Sequence, residues 1–120
     1  MLSELVCCFM GLPLESRRTV LMAEPLDDSH DFYVSWFAGE GFDVIGTGRG
    51  DIALAMIKES APDLLVIDFG LTGVDTAQVI SRLRHSAATV RLPILLLTRH
   101  DDAASLESVR CLDVAILPKL

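Results

Sequence analysis

Short apolar runs and helix-spaced apolar positions alternate along this chain from residue 19 to residue 118. TVLMAE (19–24), FDVIG (42–46), DLLVID (63–68), LPILLLT (92–98) and VAILP (114–118) are brief and rich in strand formers. The segments between them have helical spacing. Residues 29–41 place Phe32, Trp36 and Phe37 at that spacing, with Gly39 and Gly41 near the end. Residues 51–60 read as a helix with Asp51 as its N-cap and Pro62 just past its end. In 75–86, Val79 and Leu83 stand four apart, and Ala77, Ile80 and Leu83 follow in steps of three. Residues 101–112 read as a fourth helix with acids in its first turn, where the helix dipole favours them.

The order is therefore βαβαβαβαβ with short connections. The runs show little polar alternation, so both faces of each strand are covered, which predicts a parallel sheet with helices on each side. Right-handed crossovers put functional loops at the carboxyl ends of such strands. Those ends carry Glu24, Gly46, Asp68, Thr98 and the Pro118–Lys119 pair.

Composition narrows the picture. A length of 120 residues fits one domain, and 51% apolar residues argue against disorder. A net charge of −7 repels phosphate backbones, so no direct nucleic-acid role is expected. Cys7, Cys8 and Cys111 form neither a disulfide framework nor a zinc-ligand pattern, and a reducing cytoplasm is expected. LVCCFMGLPL (5–14) is too short to span a membrane and lacks a basic lead, so residues 1–18 read as a loosely packed N-terminal extension before a domain over 19–120.

Two motifs mislead. GTGRGD (46–51) sits between a strand and a helix like a phosphate loop, but its spacing is GxGxG with no GK[ST], so it reads as a flexible turn. DFG (68–70) is a protein-kinase tripeptide without the rest of a kinase.

The chemistry gathers at VIDFGLTG (66–73). The apolar run anchors a strand, Asp68 ends it at the rim, and Gly70 and Gly73 let the next backbone bend close. A strand-end Asp also serves as a turn residue or cap, so the case rests on its neighbours. The first and third strands adjoin in a doubly wound sheet, which brings Glu24 beside Asp68. Two unit charges about 4 Å apart repel by roughly 4 kcal/mol at an effective dielectric of about 20. A hard cation such as Mg²⁺ relieves that repulsion. With the Thr98 hydroxyl and the Lys119 charge, the set suits a carboxylate that accepts a phosphoryl group. His30, His85 and His100 read as solvated or capping residues.

From residue 19 to residue 120 the chain resembles the receiver domains of two-component response regulators. PDLLVIDFGLTGVD (62–75) looks like the block that ends in the phospho-acceptor, and LPILLLT (92–98) like the block that ends in the switch hydroxyl. EGFDV (40–44) matches the end of the first helix and the second strand. The resemblance implies a flavodoxin-like sheet of order 2-1-3-4-5. It implies phosphoryl transfer to Asp68 from a sensor histidine kinase or phosphotransfer protein, with Thr98 and Lys119 assisting and Mg²⁺ on Glu24, Asp68 and Gly70. Such a domain is a signalling acceptor and not an enzyme in its own right; it is cytoplasmic, has no membrane role and forms homodimers in some members.

The departures define a rival. Pro25 stands where the family has a second acid, with Asp27 and Asp28 as the nearest substitutes. PKL (118–120) reverses the usual Lys-Pro order, which would turn Lys119 to the wrong face of a period-two strand. Ala115 or Ile116 falls at the aromatic switch position, Thr72 replaces a proline, and the chain stops where a fifth helix would begin. These changes fit a divergent receiver with a weakened metal site, or alternatively a pseudo-receiver used for dimerisation or docking.

Overall fold

The five apolar runs form one parallel sheet in the order β2-β1-β3-β4-β5. A computed structural model describes residues 18–99 and 106–119. The strands are β1 (Thr19–Ala23), β2 (Asp43–Thr47), β3 (Leu64–Asp68), β4 (Ile94–Thr98) and β5 (Ala115–Pro118). The helices are α1 (Asp27–Gly39), α2 (Gly50–Ser60) and α3 (Thr76–Arg84). The expected α/β architecture and strand order are thus observed. Among the described residues no helix is long and apolar enough to cross a membrane.

Two buried clusters flank the sheet, and strand alternation divides them. Leu21, Ala23, Leu65, Ile67, Ile94 and Leu96 face the α2–α3 side, with Ile116 packed against them. Val20, Met22, Leu64, Val66, Leu95 and Leu97 share the opposite cluster with Tyr33 and Phe37 of α1, and Ala115 packs there. Every residue of β3 is buried, as expected for the middle strand of a covered parallel sheet.

Several elements differ from expectation. α1 starts two residues early, and its inward residues are Tyr33 and Phe37, four apart; Phe32 is 49% exposed. Trp36 lies edge-on to Phe37 at 4.7 Å. Asp51 does not cap α2. Arg49 holds that position, and its guanidinium hydrogen-bonds Asp51 at 3.1 and 3.2 Å, holding that carboxyl below the usual range.

The helix expected over 101–112 falls partly outside the described residues, as do residues 1–17 (with Cys7 and Cys8), His100 and Leu120. What is described is a helical residue at Leu106, a turn over 107–109 and a 3₁₀ turn at Arg110–Leu112. Val109 N–H donates to the Leu106 carbonyl and Leu112 N–H to the Val109 carbonyl, a three-residue spacing that tightens the chain around the buried Val109. Asp113, at φ 56°, then swings it into β5.

Arg84, at the end of α3, fixes that swing. Its guanidinium donates to the carbonyls of Leu112 (2.7 Å), Asp113 (2.9 Å), Leu92 (2.8 Å), Val90 (3.2 Å) and Thr89 (3.4 Å). It ties the approaches to β4 and β5 to one helix end, where a cation also favours the dipole. Burial pushes the guanidinium below its ordinary value, and the Asp113 carboxylate opposes that.

Two stability predictions follow from these geometries. Lysine cannot reproduce a five-donor fork, so Arg84→Lys should lower stability by about 1–3 kcal/mol, read as a reduced urea midpoint. Ala61 ends α2 in the left-handed region at φ 45°. Ala61→Gly should therefore raise the same midpoint, by about 0.5–1 kcal/mol.

Candidate functional site

The carboxyl ends of β1 and β3 stand level, because Ala23 pairs with Ile67. The next residues, Glu24 and Asp68, are therefore neighbours at the rim. Both are buried, at 1% and 3% exposure. Burying two carboxylates costs free energy unless each is partnered. Asp68 Oδ2 accepts from the Gly70 N–H at 2.8 Å, and Glu24 Oε1 from the Leu26 N–H at 3.0 Å. The remaining oxygens share one cation. Lys119 Nζ donates to Asp68 Oδ1 at 3.3 Å. It lies 2.6 Å from Glu24 Oε2, an ion pair off the hydrogen-bonding axis. The Lys119 side chain is itself 6% exposed.

Lys119 is in phase with the acids, contrary to the expectation from the Pro-Lys order. Ala115 packs in the cluster that Val66 and Leu97 share. Counting by two from Ala115 reaches Leu117 and Lys119, and counting by two from Val66 reaches Asp68. All three charged groups therefore lie on one face of the sheet. The backbone is held too, since Lys119 N–H donates to the Thr98 carbonyl at 2.7 Å.

Thr98 has the other phase, that of Ile94 and Leu96. Its hydroxyl donates to the Leu117 carbonyl at 3.4 Å. It stands at the rim without joining the charged cluster. Asp27 and Asp28 are exposed residues of the first turn of α1, and among the described residues no group of three or more His, Cys, Asp or Glu side chains could hold a metal. A cavity of about 460 Å³ between Ile57, Pro62, Leu83 and Leu92 opens at the amino edge of the sheet, away from these charges.

Several contributors were not read from the sequence. The buried Thr76 hydroxyl donates to the Asp68 carbonyl at 2.5 Å and locks the strand end to α3. The signal was present in DT (75–76), where Asp75 caps α3 by accepting from the Gln78 N–H at 2.9 Å. His30 Nδ1 donates to the Glu24 carbonyl at 3.1 Å, so this histidine braces the rim. His85 behaves as the capping residue expected, its Nδ1 donating to the Ser81 carbonyl at 2.7 Å.

GTGRGD is a paired turn. Gly50 N–H donates to the Thr72 carbonyl at 2.8 Å and Thr72 N–H to the Gly48 carbonyl at 3.4 Å, which joins it to the loop after Asp68. That loop bends at Gly73, whose φ of 79° is cheap only for glycine.

Toward a divalent cation, the rim offers the two carboxylates and the Gly70 backbone. The four carboxylate oxygens are already engaged by two N–H groups and one ammonium. The Pro25 ring occupies the ground beside Gly70: a Cβ built on Gly70 would meet Pro25 Cγ at 3.3 Å and Asp68 Oδ2 at 3.1 Å. This set fits a hard six-coordinate ion poorly.

Comparison with known proteins sets this geometry in a family. The response regulator receiver domain model matches residues 20–116. The phosphate regulon transcriptional regulatory protein PhoB of Rhizobium meliloti is 46% identical over 59 residues, covering 49% of this chain and 26% of that protein. The chain thus spans about a quarter of that curated relative's length. A response-regulator structure from Chloroflexus aurantiacus superposes with a TM-score of 0.80 at 28% identity, covering 87% of this chain and 86% of that one. The Mn²⁺-bound form of the response regulator Rcp1 shares the fold, with a TM-score of 0.76 at 18% identity over 86% of this chain and 81% of that one. The chain belongs to the response regulator receiver domain family.

Proposed function

We propose that Asp68 accepts a phosphoryl group from a phosphohistidine on a sensor kinase or phosphotransfer protein, and that the chain acts as a signalling acceptor and not as an enzyme. The observation that carries this reading is the buried Asp68 carboxylate held 3.3 Å from the Lys119 ammonium at the open end of the central strand.

A carboxylate oxygen of Asp68 attacks phosphorus. The P–N bond of the donor breaks, its electron pair leaves with the imidazole nitrogen, and that nitrogen takes up a proton. The product is an aspartyl phosphate. Lys119 offsets charge on the transferring oxygens, and its tether to β5 holds it there before the reaction. Gly70 N–H already donates at the acceptor and remains in place for the product oxygens. Thr98 would turn from the Leu117 carbonyl to the phosphate, which draws the ends of β4 and β5 inward and biases the surface they form.

Receiver domains as a family bind Mg²⁺, and one neighbour of the same fold is Mn²⁺-bound. In this chain Glu24, Asp68 and Gly70 fit such an ion poorly, and no step above passes through it. The acceptor reading is preferred to the docking-module rival because Asp68 stands at the open end of β3 with the Lys119 ammonium and the Gly70 N–H directed at its two oxygens. A transcription-regulating relative is consistent with a role in a cytoplasmic two-component pathway, with output through a partner, an attached domain or a homodimer. Nucleic acid and membrane are not proposed as partners of this domain.

Incubation with acetyl phosphate followed by intact-mass measurement tests the reading. The expected result is one phosphoryl adduct that is absent in Asp68→Asn. Thr98→Val should still form the adduct, because its hydroxyl does not touch Asp68 beforehand. An adduct that persists in Asp68→Asn, or no adduct in the wild type, would sink the assignment.

A further inference from the structure

The rim of this domain contains its own cation. A Lys119 ammonium sits against both Glu24 and Asp68, and all three side chains are nearly sealed from solvent. Beside it, Pro25 is packed between two glycines. A Cβ on Gly48 would meet Pro25 Cα at 3.1 Å, and one on Gly70 would meet Pro25 Cγ at 3.3 Å. The loop after β2 and the loop after β3 therefore both lack side chains where they approach this ring. The loops are tied to each other by the Gly50–Thr72 and Thr72–Gly48 backbone hydrogen bonds. Proline brings an apolar ring and no N–H, so it adds neither a ligand nor a donor at the place where an incoming ion would need oxygen.

We infer that Lys119 is the resident countercharge of this site and that Pro25, clasped by Gly48 and Gly70, closes the coordination position beside Asp68, so that the domain binds Mg²⁺ weakly and does not need it to hold its acidic rim together. The inference rests on the reading of Asp68 as the acceptor only for its functional meaning; the cation binding it describes is measured without phosphorylation.

Two physical arguments support it. The pair of buried carboxylates keeps one net negative charge after Lys119 is counted, which gives a divalent ion much less to neutralise than a bare acid cluster would. An ion seeking Asp68 Oδ1 and Glu24 Oε2 would also compete for them with an ammonium already buried there. A tethered cation needs no free ion and is insensitive to its concentration.

The test is titration of the unphosphorylated chain with MgCl₂ and, separately, MnCl₂, read by calorimetry and by the thermal midpoint. The wild type is expected to show neither saturable heat nor a rise in midpoint through several millimolar metal. Pro25→Asp adds an oxygen ligand beside Gly70 and should gain affinity by about tenfold or more. Lys119→Gln leaves the two acids without their countercharge, and its lowered midpoint should climb as Mg²⁺ is added. Because the two variants act through different residues, misfolding of one leaves the other decisive. Sub-millimolar Mg²⁺ binding by the wild type that disappears in Asp68→Asn would overturn the inference, as would the failure of both variants to gain any metal response. The acceptor reading fails separately, by the absence of an aspartyl adduct, and the metal titration stands whichever way that experiment goes.

Discussion

Two carboxylates buried within reach of one ammonium set the terms for the rest of this domain. Removing one partner of such a group typically costs about 3–5 kcal/mol, because a charge is left uncompensated in the interior. Glu24, Asp68 and Lys119 come from three strand ends, two adjacent and the third beyond β4. Only a sheet with its carboxyl ends level and in this order brings them together. The fold and the site are thus one constraint: the register that pairs Ala23 with Ile67 also puts the acids side by side.

The reach of Lys119 depends on parts remote from it. β5 is a four-residue edge strand with only partial burial, and it would be the least secure element of the sheet if left to its own packing. Arg84 compensates by gathering the carbonyls of Leu112 and Asp113, just before β5, with those leading into β4. Thr76 does the same for Asp68, fastening its carbonyl to the start of α3. The two ends of α3 therefore serve the same rim, one through Asp68 and one through the approach to β5 and Lys119.

Most of the fold was legible because a parallel sheet buried on both faces writes itself as apolar runs, and β3 is the clearest case. The acids were legible because a charge closing such a run has few roles. The phase of Lys119 was not, since it was judged from the Pro-Lys order, whereas it is set by which cluster Ala115 joins. Thr98 shows the converse: it reaches the rim in sequence but alternation turns it from the acids. Tyr33 in place of Phe32 could not be chosen by spacing alone, because adjacent aromatics offer two helix phases and packing selects between them. Within the helix expected over 101–112, residues 107–112 form tight turns instead, since Val109 is drawn into the core and Arg84 captures the carbonyls that follow.

A countercharge built into the chain differs in kind from one supplied by solution. A dissolved ion must be dehydrated and loses translational freedom each time it binds, and its occupancy follows its concentration. The Lys119 ammonium meets those costs once, on folding, and is then present in every molecule. The consequence is mechanical. A free ion can leave the domain altogether, whereas the Lys119 ammonium stays tethered to the residue that follows β5, whose own N–H donates to the Thr98 carbonyl at the end of β4. The Asp68 carboxylate is thus linked, through the Lys119 ion pair and the Lys119–Thr98 backbone hydrogen bond, to the carboxyl ends of β4 and β5.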